Sequence, residues 1–154
     1  MGSHHGEAFK GTAIPTLAEV ASTVPNRKTI YIEIKCGTEI IPALLEEIRK
    51  SGLKKEQVVV ISFNEKVIRE LKAKAPSYKA YWLCSFKKGK GGEMTPSLET
   101  VLKTLALIHA DGLSSNIAIP GPFIKAIGQQ GYEWHVWTVD DLKTSKAVKE
   151  LGAK

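Results

Sequence analysis

Glu33 and Lys35 stand two residues apart in the run YIEIKCG, Tyr31 to Gly37. On a strand, that spacing puts both on one face with Tyr31, while Ile32 and Ile34 take the other. A carboxylate and an ammonium in an otherwise apolar strand must be paired, hydrated in a cleft, or used. The structural account is an ion pair across one pleat. The functional account gives Lys35 an anionic oxygen to hold, and Glu33 a cation to bind or a nucleophile to orient. One carboxylate cannot by itself hold Mg²⁺ or Ca²⁺, which take six or more oxygens, so a metal would need acids from elsewhere.

Other residues carry weaker signals. His135 and Trp137 alternate in EWHVW and share a strand face. A lone strand histidine is more often a satisfied core residue than a base, and Trp137 suits a pocket wall as well as it suits packing. His4, His5 and His109 have no partners at ligand spacing. Cys36 and Cys84 lie in apolar stretches without metal or redox spacing, and read as reduced, buried thiols. The run KKGKGGEM, Lys87 to Met94, lacks the Gly-Lys-Ser/Thr ending of a phosphate loop and reads as a mobile βα loop. Asp140-Asp141 most simply starts the final helix.

The elements that must position these groups alternate regularly. Ile30–Lys35, Val58–Phe63, Lys79–Leu83, Ala110–Leu113 and Glu133–Thr138 read as strands. Helical patterns cover Glu39–Lys50, Glu65–Ala75, Ser97–His109, Pro122–Gln130 and Leu142–Leu151, and a short helix from Leu17 to Thr23 precedes the first strand. Thr16 with Glu19 makes a capping box, Thr95-Pro96 places a proline at a helix start, and Gly52 and Gly131 follow helix ends. Strands separated by helices imply βαβ units and a parallel sheet; VVVIS, apolar nearly throughout, fits a strand covered by helices. The fold class is therefore α/β with five parallel strands. Two architectures remain open: a partial (β/α)₈ barrel, or an open flavodoxin-like doubly wound sheet.

Both place ligands at the carboxyl ends of the strands. Those ends carry Glu33 and Lys35; Ser62, Phe63 and Asn64; Trp82, Cys84 and Ser85; Ser114, Ser115 and Asn116; and His135, Trp137 and Thr138. The 154 residues are 43% hydrophobic and 25% charged, a composition that suits one domain. The net charge of +6 would suit a phosphate or a nucleic acid. The lysines are spread over the five longer helices with no basic block and no interleaved aromatics, which speaks against nucleic acid. No apolar run reaches the length of a membrane span, and MGSHHGEAFKG has no signal core. The expectation is a soluble protein, cytoplasmic if expressed as it stands.

FKGTAIPTLAEV, IYIEIKCG, VVVISFN and EWHVWTVDD, in this order and spacing, resemble the bacterial glycerophosphodiester phosphodiesterases from about Phe9 to Lys154. The resemblance implies a (β/α)₈ barrel that hydrolyses glycerophosphodiesters to an alcohol and glycerol 3-phosphate with a divalent cation, Ca²⁺ or Mg²⁺. It implies that Glu33 is a metal ligand and that Lys35 lies beside the phosphate. Trp137 would line the glycerol side of the pocket, with Phe63 as its neighbour on the wall. It assigns no catalytic residue, because the family's His-Arg pair, Glu-x-Asp motif and second catalytic histidine are absent: the chain has no His-Arg, Glu-x-Asp or His-Asp.

The part resembled runs from helix two to helix seven of the barrel. The expectation is a single incomplete domain over residues 1–154, with 1–11 a flexible segment or a tag. Alone it should have little activity, should not hold the cation unaided, and should self-associate because five barrel strands leave two edges unpaired. The alternative is a non-catalytic oligomeric module that binds a phosphate-bearing ligand, such as glycerol phosphate, or a partner chain.

Overall fold

The computed structural model describes residues 5–154. The expectations for His4 and for the first residues of segment 1–11 lie outside the described residues. After an exposed 3₁₀ turn at Glu7–Phe9, α1 (Leu17–Ser22) opens with the foreseen box: the Thr16 hydroxyl accepts from the Glu19 amide, and the Glu19 carboxylate accepts from the Thr16 amide. Then follow β1 (Ile30–Glu33), α2 (Ile41–Ser51), β2 (Val58–Ser62), α3 (Glu65–Lys74) and β3 (Lys79–Cys84). A small hairpin, β4 (Lys87–Lys88) with β5 (Met94–Thr95), precedes α4 (Leu98–Leu107). The chain ends with β6 (Gly112–Asn116), α5 (Gly121–Gln129), β7 (Glu133–Trp137) and α6 (Leu142–Glu150).

The five long strands pair in the order β1-β2-β3-β6-β7, and every pairing is parallel. Each strand lies beside the one before it, with no reversal of direction across the sheet. A doubly wound sheet reverses at a switch point. The open flavodoxin-like alternative is therefore set aside, and the fold is a curled half-barrel of five parallel strands. Helices cover its convex side. There Val58, Val60, Trp82, Leu113 and Trp134 from the strands meet Ile41, Ile48, Val67, Leu71, Leu105 and Ile127 from the helices. The other alternate residues face the concave side, which no helix covers.

Local chemistry explains the boundaries. Asn64, Ser97 and Asp141 each accept a backbone amide at the start of α3, α4 and α6. Gly52 at φ 70° and Gly131 at φ 85° supply the left-handed residues after α2 and α5. Pro96 stands just outside α4, because Ser97 is the cap.

Several expectations are corrected. α4 stops at Leu107 rather than His109, which is itself left-handed at φ 56°. The fourth long strand spans Gly112–Asn116, not Ala110–Leu113: the serines expected at its polar end are buried and sheet-bonded. The first strand ends at Glu33, although the Ile34 amide still donates to Ile61 O at 2.9 Å. Lys87–Met94, read as a mobile βα loop, carries a short antiparallel hairpin between β3 and α4. Cys36 is exposed, whereas Cys84 is buried and burial, with the Glu65 charge behind it, pushes its thiol up to about 11.

Candidate functional site

The strand alternation that faces isoleucines outward on β1 turns Tyr31, Glu33 and Lys35 into the hollow of the half-barrel. Glu33, Lys35, Phe63 and Trp137, all named from sequence, line one cavity of about 670 Å³ at the carboxyl ends of the strands. Ile61, Leu83, Ser114 and His135 add to its walls, and Lys154 brings a second lysine to its lining. Glu33 Oε2 and Lys35 Nζ are 3.6 Å apart, with the glutamate one-third exposed and the lysine mostly so. An ion pair so hydrated contributes little to stability, which leaves both charges free for a ligand. The Phe63 and Trp137 rings meet edge to face at 5.9 Å. They give the same cavity an apolar wall.

Buried polar groups fix the ends that carry these residues. The Ser62 hydroxyl donates to Ile34 O at 2.7 Å and accepts from the Asn64 amide at 3.1 Å, pinning the backbone between Glu33 and Lys35. Ser115 accepts from the Trp134 indole at 3.0 Å, and Asn116 holds the Phe86 backbone from both sides. These strand-end polar residues, together with Trp82 and Cys84, which turn into the helix-side core, are scaffold rather than lining.

Deeper in the same hollow lies a layer that the sequence reading did not assemble. The Glu133 carboxylate takes the Lys79 ammonium at 2.5 Å on one oxygen and a short hydrogen bond from the Tyr81 hydroxyl on the other. The His135 ring packs at a 41° tilt against Tyr81 with centroids 4.2 Å apart, and its Nδ1 shares a hydrogen bond with the Tyr31 hydroxyl at 3.2 Å. Its Nε2 is buried without a hydrogen-bond partner, 3.9 Å from Glu133 Oε2. Gly112 makes room for this layer: a side chain there would meet the Glu133 carbonyl at 2.1 Å and the Tyr81 ring at 2.8 Å.

The electrostatics follow from burial and pairing. Burial drives the His135 imidazole below its usual range, against the pull of Glu133, so the ring is neutral near pH 7. Burial and the Glu133 bond raise the Tyr81 phenol. Burial alone would raise Glu133, but the bonds from Lys79 and Tyr81 outweigh it and hold the carboxyl below its ordinary value.

Tyr31 and His135 face both the upper cavity and a second one of about 550 Å³ beneath it, so their bond is the floor between the two. That floor joins β1 to β7, the two outer strands of the sheet. Its signal in the sequence is the step of two from each rim residue: Tyr31 below Glu33, and His135 and Glu133 below Trp137.

The residues present do not by themselves make a divalent cation site. Among the described residues no three His, Cys, Asp or Glu side chains converge to hold a metal, and Glu33 is the one Asp or Glu lining the upper cavity. No helix among the described residues is long and apolar enough to cross a membrane.

The sequence pattern of the glycerophosphoryl diester phosphodiesterase family matches residues 1–154. A glycerophosphodiester phosphodiesterase of Caldanaerobacter subterraneus subsp. tengcongensis is 35% identical over 82 residues, which cover 51% of this chain and 34% of that protein. Among solved structures, an Oleispira antarctica phosphodiesterase in complex with the product sn-glycerol-3-phosphate superposes with a TM-score of 0.75 at 18% identity, covering 98% of this chain and 60% of that one. The Thermotoga maritima glycerophosphodiester phosphodiesterase gives 0.65 at 21% identity, covering 89% and 57%. The chain thus spans well under two-thirds of the length of the relatives it matches, and the structural likeness is one of fold.

Proposed function

This chain belongs to the glycerophosphoryl diester phosphodiesterase family, and from that premise we propose that its upper cavity is the phosphate- and glycerol-holding part of a glycerophosphodiester-hydrolysing site. The observation that carries this reading is that Glu33, Lys35, Phe63 and Trp137, from three different strands, line one cavity. Lys35 places a mobile ammonium where an anionic phosphodiester oxygen would lie. Phe63 and Trp137 offer an apolar wall to the carbon face of a glyceryl group. Glu33 is the contact for a divalent cation in a completed site. In these residues it stands alone, so no step is routed through such an ion.

The reaction of such a site is hydrolysis of the phosphodiester to an alcohol and glycerol 3-phosphate. It needs a group to activate water and another to protonate the leaving alkoxide. The 154 residues contain no His-Arg, Glu-x-Asp or His-Asp, and His135 Nε2 is buried beneath the cavity rather than open to it. The chain by itself should therefore bind the product-like ligand with little turnover. β1 and β7 each have a single neighbour in the sheet, and pairing of such edges between copies would give a homo-oligomer.

Calorimetric titration of the purified chain with sn-glycerol 3-phosphate, beside a phosphodiesterase assay in Ca²⁺ or Mg²⁺, tests the reading. Binding that Lys35→Ala abolishes supports it, and absence of binding overturns it. Brisk turnover lost in Glu33→Ala would overturn the expected inactivity. Light scattering at high dilution decides the self-association, and a stable monomer would count against it.

A further inference from the structure

Parallel strands send all their βα segments out at one rim. Four of the five segments here present an exposed large apolar side chain: Ile40 after β1, Phe63 after β2, Ile117 after β6 and Leu142 after β7, from 37% exposed at Ile40 to 82% at Leu142. The fifth segment, after β3, is the β4–β5 hairpin, and it presents Lys87, Lys88 and Lys90, all exposed. Four apolar points and one cationic finger thus share the edge that opens onto the upper cavity.

The finger is firmly rooted. Phe86 at its base is 1% exposed and meets the Phe123 ring at 6.1 Å. Asn116 clamps the Phe86 backbone, accepting from its amide at 2.8 Å and donating to its carbonyl at 3.0 Å. Beyond the root, the Gly89 amide donates to Glu93 O at 2.8 Å, and the Glu93 carboxylate fills the space a side chain would need at Gly89 and Gly91.

Some helix lysines are matched within their helices, as Lys50 is to Glu46 and Glu47, Lys74 to Glu70 and Lys103 to Glu99, while Lys66, Lys125, Lys143, Lys146 and Lys149 stand singly on theirs. Among the described residues no ion pair involves Lys87, Lys88 or Lys90. Of the rim's exposed acids, Glu39 accepts from the Gly37 amide and Asp141 caps α6. Glu65 and Asp140 lie on the segments after β2 and β7, and Glu93 lies on the finger itself, which leaves the finger three lysines to one carboxylate.

We infer that this rim docks on an anionic lipid surface. The apolar groups are single and spread around the rim, so they suit shallow insertion at several points of a bilayer interface. A protein interface would want them gathered into one patch. Each lysine held near an anionic bilayer strengthens binding roughly fivefold, and the finger concentrates three. Sequence-independent binding of single-stranded nucleic acid uses rows of stacking aromatics, whereas the exposed knobs of this rim include one ring, Phe63. Docking in this orientation would turn the upper cavity toward the lipid headgroups. The inference is read by binding alone and stands whether or not the chain hydrolyses anything.

Sedimentation of the whole chain with phosphatidylcholine vesicles, with and without phosphatidylserine, tests it. Binding should require the anionic lipid and weaken as salt rises. Lys87→Glu/Lys88→Glu/Lys90→Glu should bind roughly a hundredfold more weakly. Ile117→Ser and Leu142→Ser should each weaken binding several-fold while leaving the salt dependence in place. All these positions are exposed, and circular dichroism with a thermal melt checks that each variant folds. Equal binding to neutral vesicles, no binding to either kind, or a triple-lysine variant that binds like the parent would overturn the inference. So would retention of single-stranded RNA in preference to the vesicles.

Discussion

Two layers of one concave face are built on opposite plans. The rim layer holds Glu33 and Lys35 3.6 Å apart in water, with the Phe63 and Trp137 rings lining the same cavity. The floor layer packs Tyr31, Lys79, Tyr81, Glu133 and His135 so that almost every polar atom is taken, the exception being His135 Nε2. Groups that satisfy one another hold a shape, and groups left to solvent are available to a ligand. The floor therefore reads as the clasp that keeps β1 and β7 curled toward each other, and the rim as the surface that clasp presents. If this division is right, stability should respond steeply to floor substitutions and barely to rim ones, while ligand binding should do the reverse.

The largest stability effect is expected at Gly112→Ala. The added methyl would lie 2.1 Å from the Glu133 carbonyl, a backbone atom that cannot swing aside, and 2.8 Å from the Tyr81 ring. The cost should be about 3 kcal/mol, at the upper end of overpacking, read as a fall in the urea midpoint with an unchanged slope. A midpoint within error of the parent would mean that the floor is loosely packed and that the contrast between layers is overdrawn.

A smaller effect, and one with a sign in pH, is expected from His135 and Glu133. The folded state depresses the imidazole below its ordinary 6.5, because burial opposes its charge. The unfolded chain then binds the proton first, so this contribution is present above pH 6.5 and is lost as pH falls through the folded value. Glu133 is also depressed, from an ordinary 4.5, and its contribution fades below that pH in the same direction. Urea midpoints measured from pH 7.5 down to 4 should therefore decline in two stages. His135→Gln should remove the first stage and leave the second. A first stage that survives in His135→Gln would assign it to another group and detach His135 from the clasp.

How much of this was legible in the sequence depends on how local each feature is. The four rim residues fall at strand ends within short motifs; alternation singled out Glu33 and Lys35, and the resemblance to the family supplied the pocket roles of Phe63 and Trp137. The strand order, and with it the choice of half-barrel over doubly wound sheet, needed the pairings themselves. The floor was harder still: Tyr31 and His135 are 104 positions apart and lie on strands that are not neighbours in the sheet. Only the curl of the sheet brings them together, and no periodicity records curl. The fourth long strand was misplaced because Ser114 and Ser115 have a loop-like composition, which the Trp134 indole and the β6 pairings override. The lysine hairpin was missed for the opposite reason: its glycines and lysines read as a loop, whereas Lys87 and Lys88 pair with Thr95 and Met94 and the Glu93 carboxylate lies against Gly89 and Gly91.

The smallest stability effect is the one that separates the layers most cleanly. Glu33→Gln removes one member of a hydrated pair whose lysine is 79% exposed, so the cost to folding should stay within about 0.5 kcal/mol. The midpoint should not move when the same substitution is made in the Lys35→Met background, because there is little coupling to lose. Ligand binding should respond differently. Lys35→Met should weaken sn-glycerol 3-phosphate roughly tenfold or more, the worth of one charge-assisted hydrogen bond. Glu33→Gln should leave that affinity equal or improve it, since an anion approaching Lys35 also approaches the Glu33 carboxylate. An affinity that falls with Glu33→Gln only when Ca²⁺ or Mg²⁺ is present would show the carboxylate recruiting a cation together with the ligand. A fall without any cation would place Glu33 in direct contact with the ligand hydroxyls, and the rim would then be a hydrogen-bonding site rather than an electrostatic one.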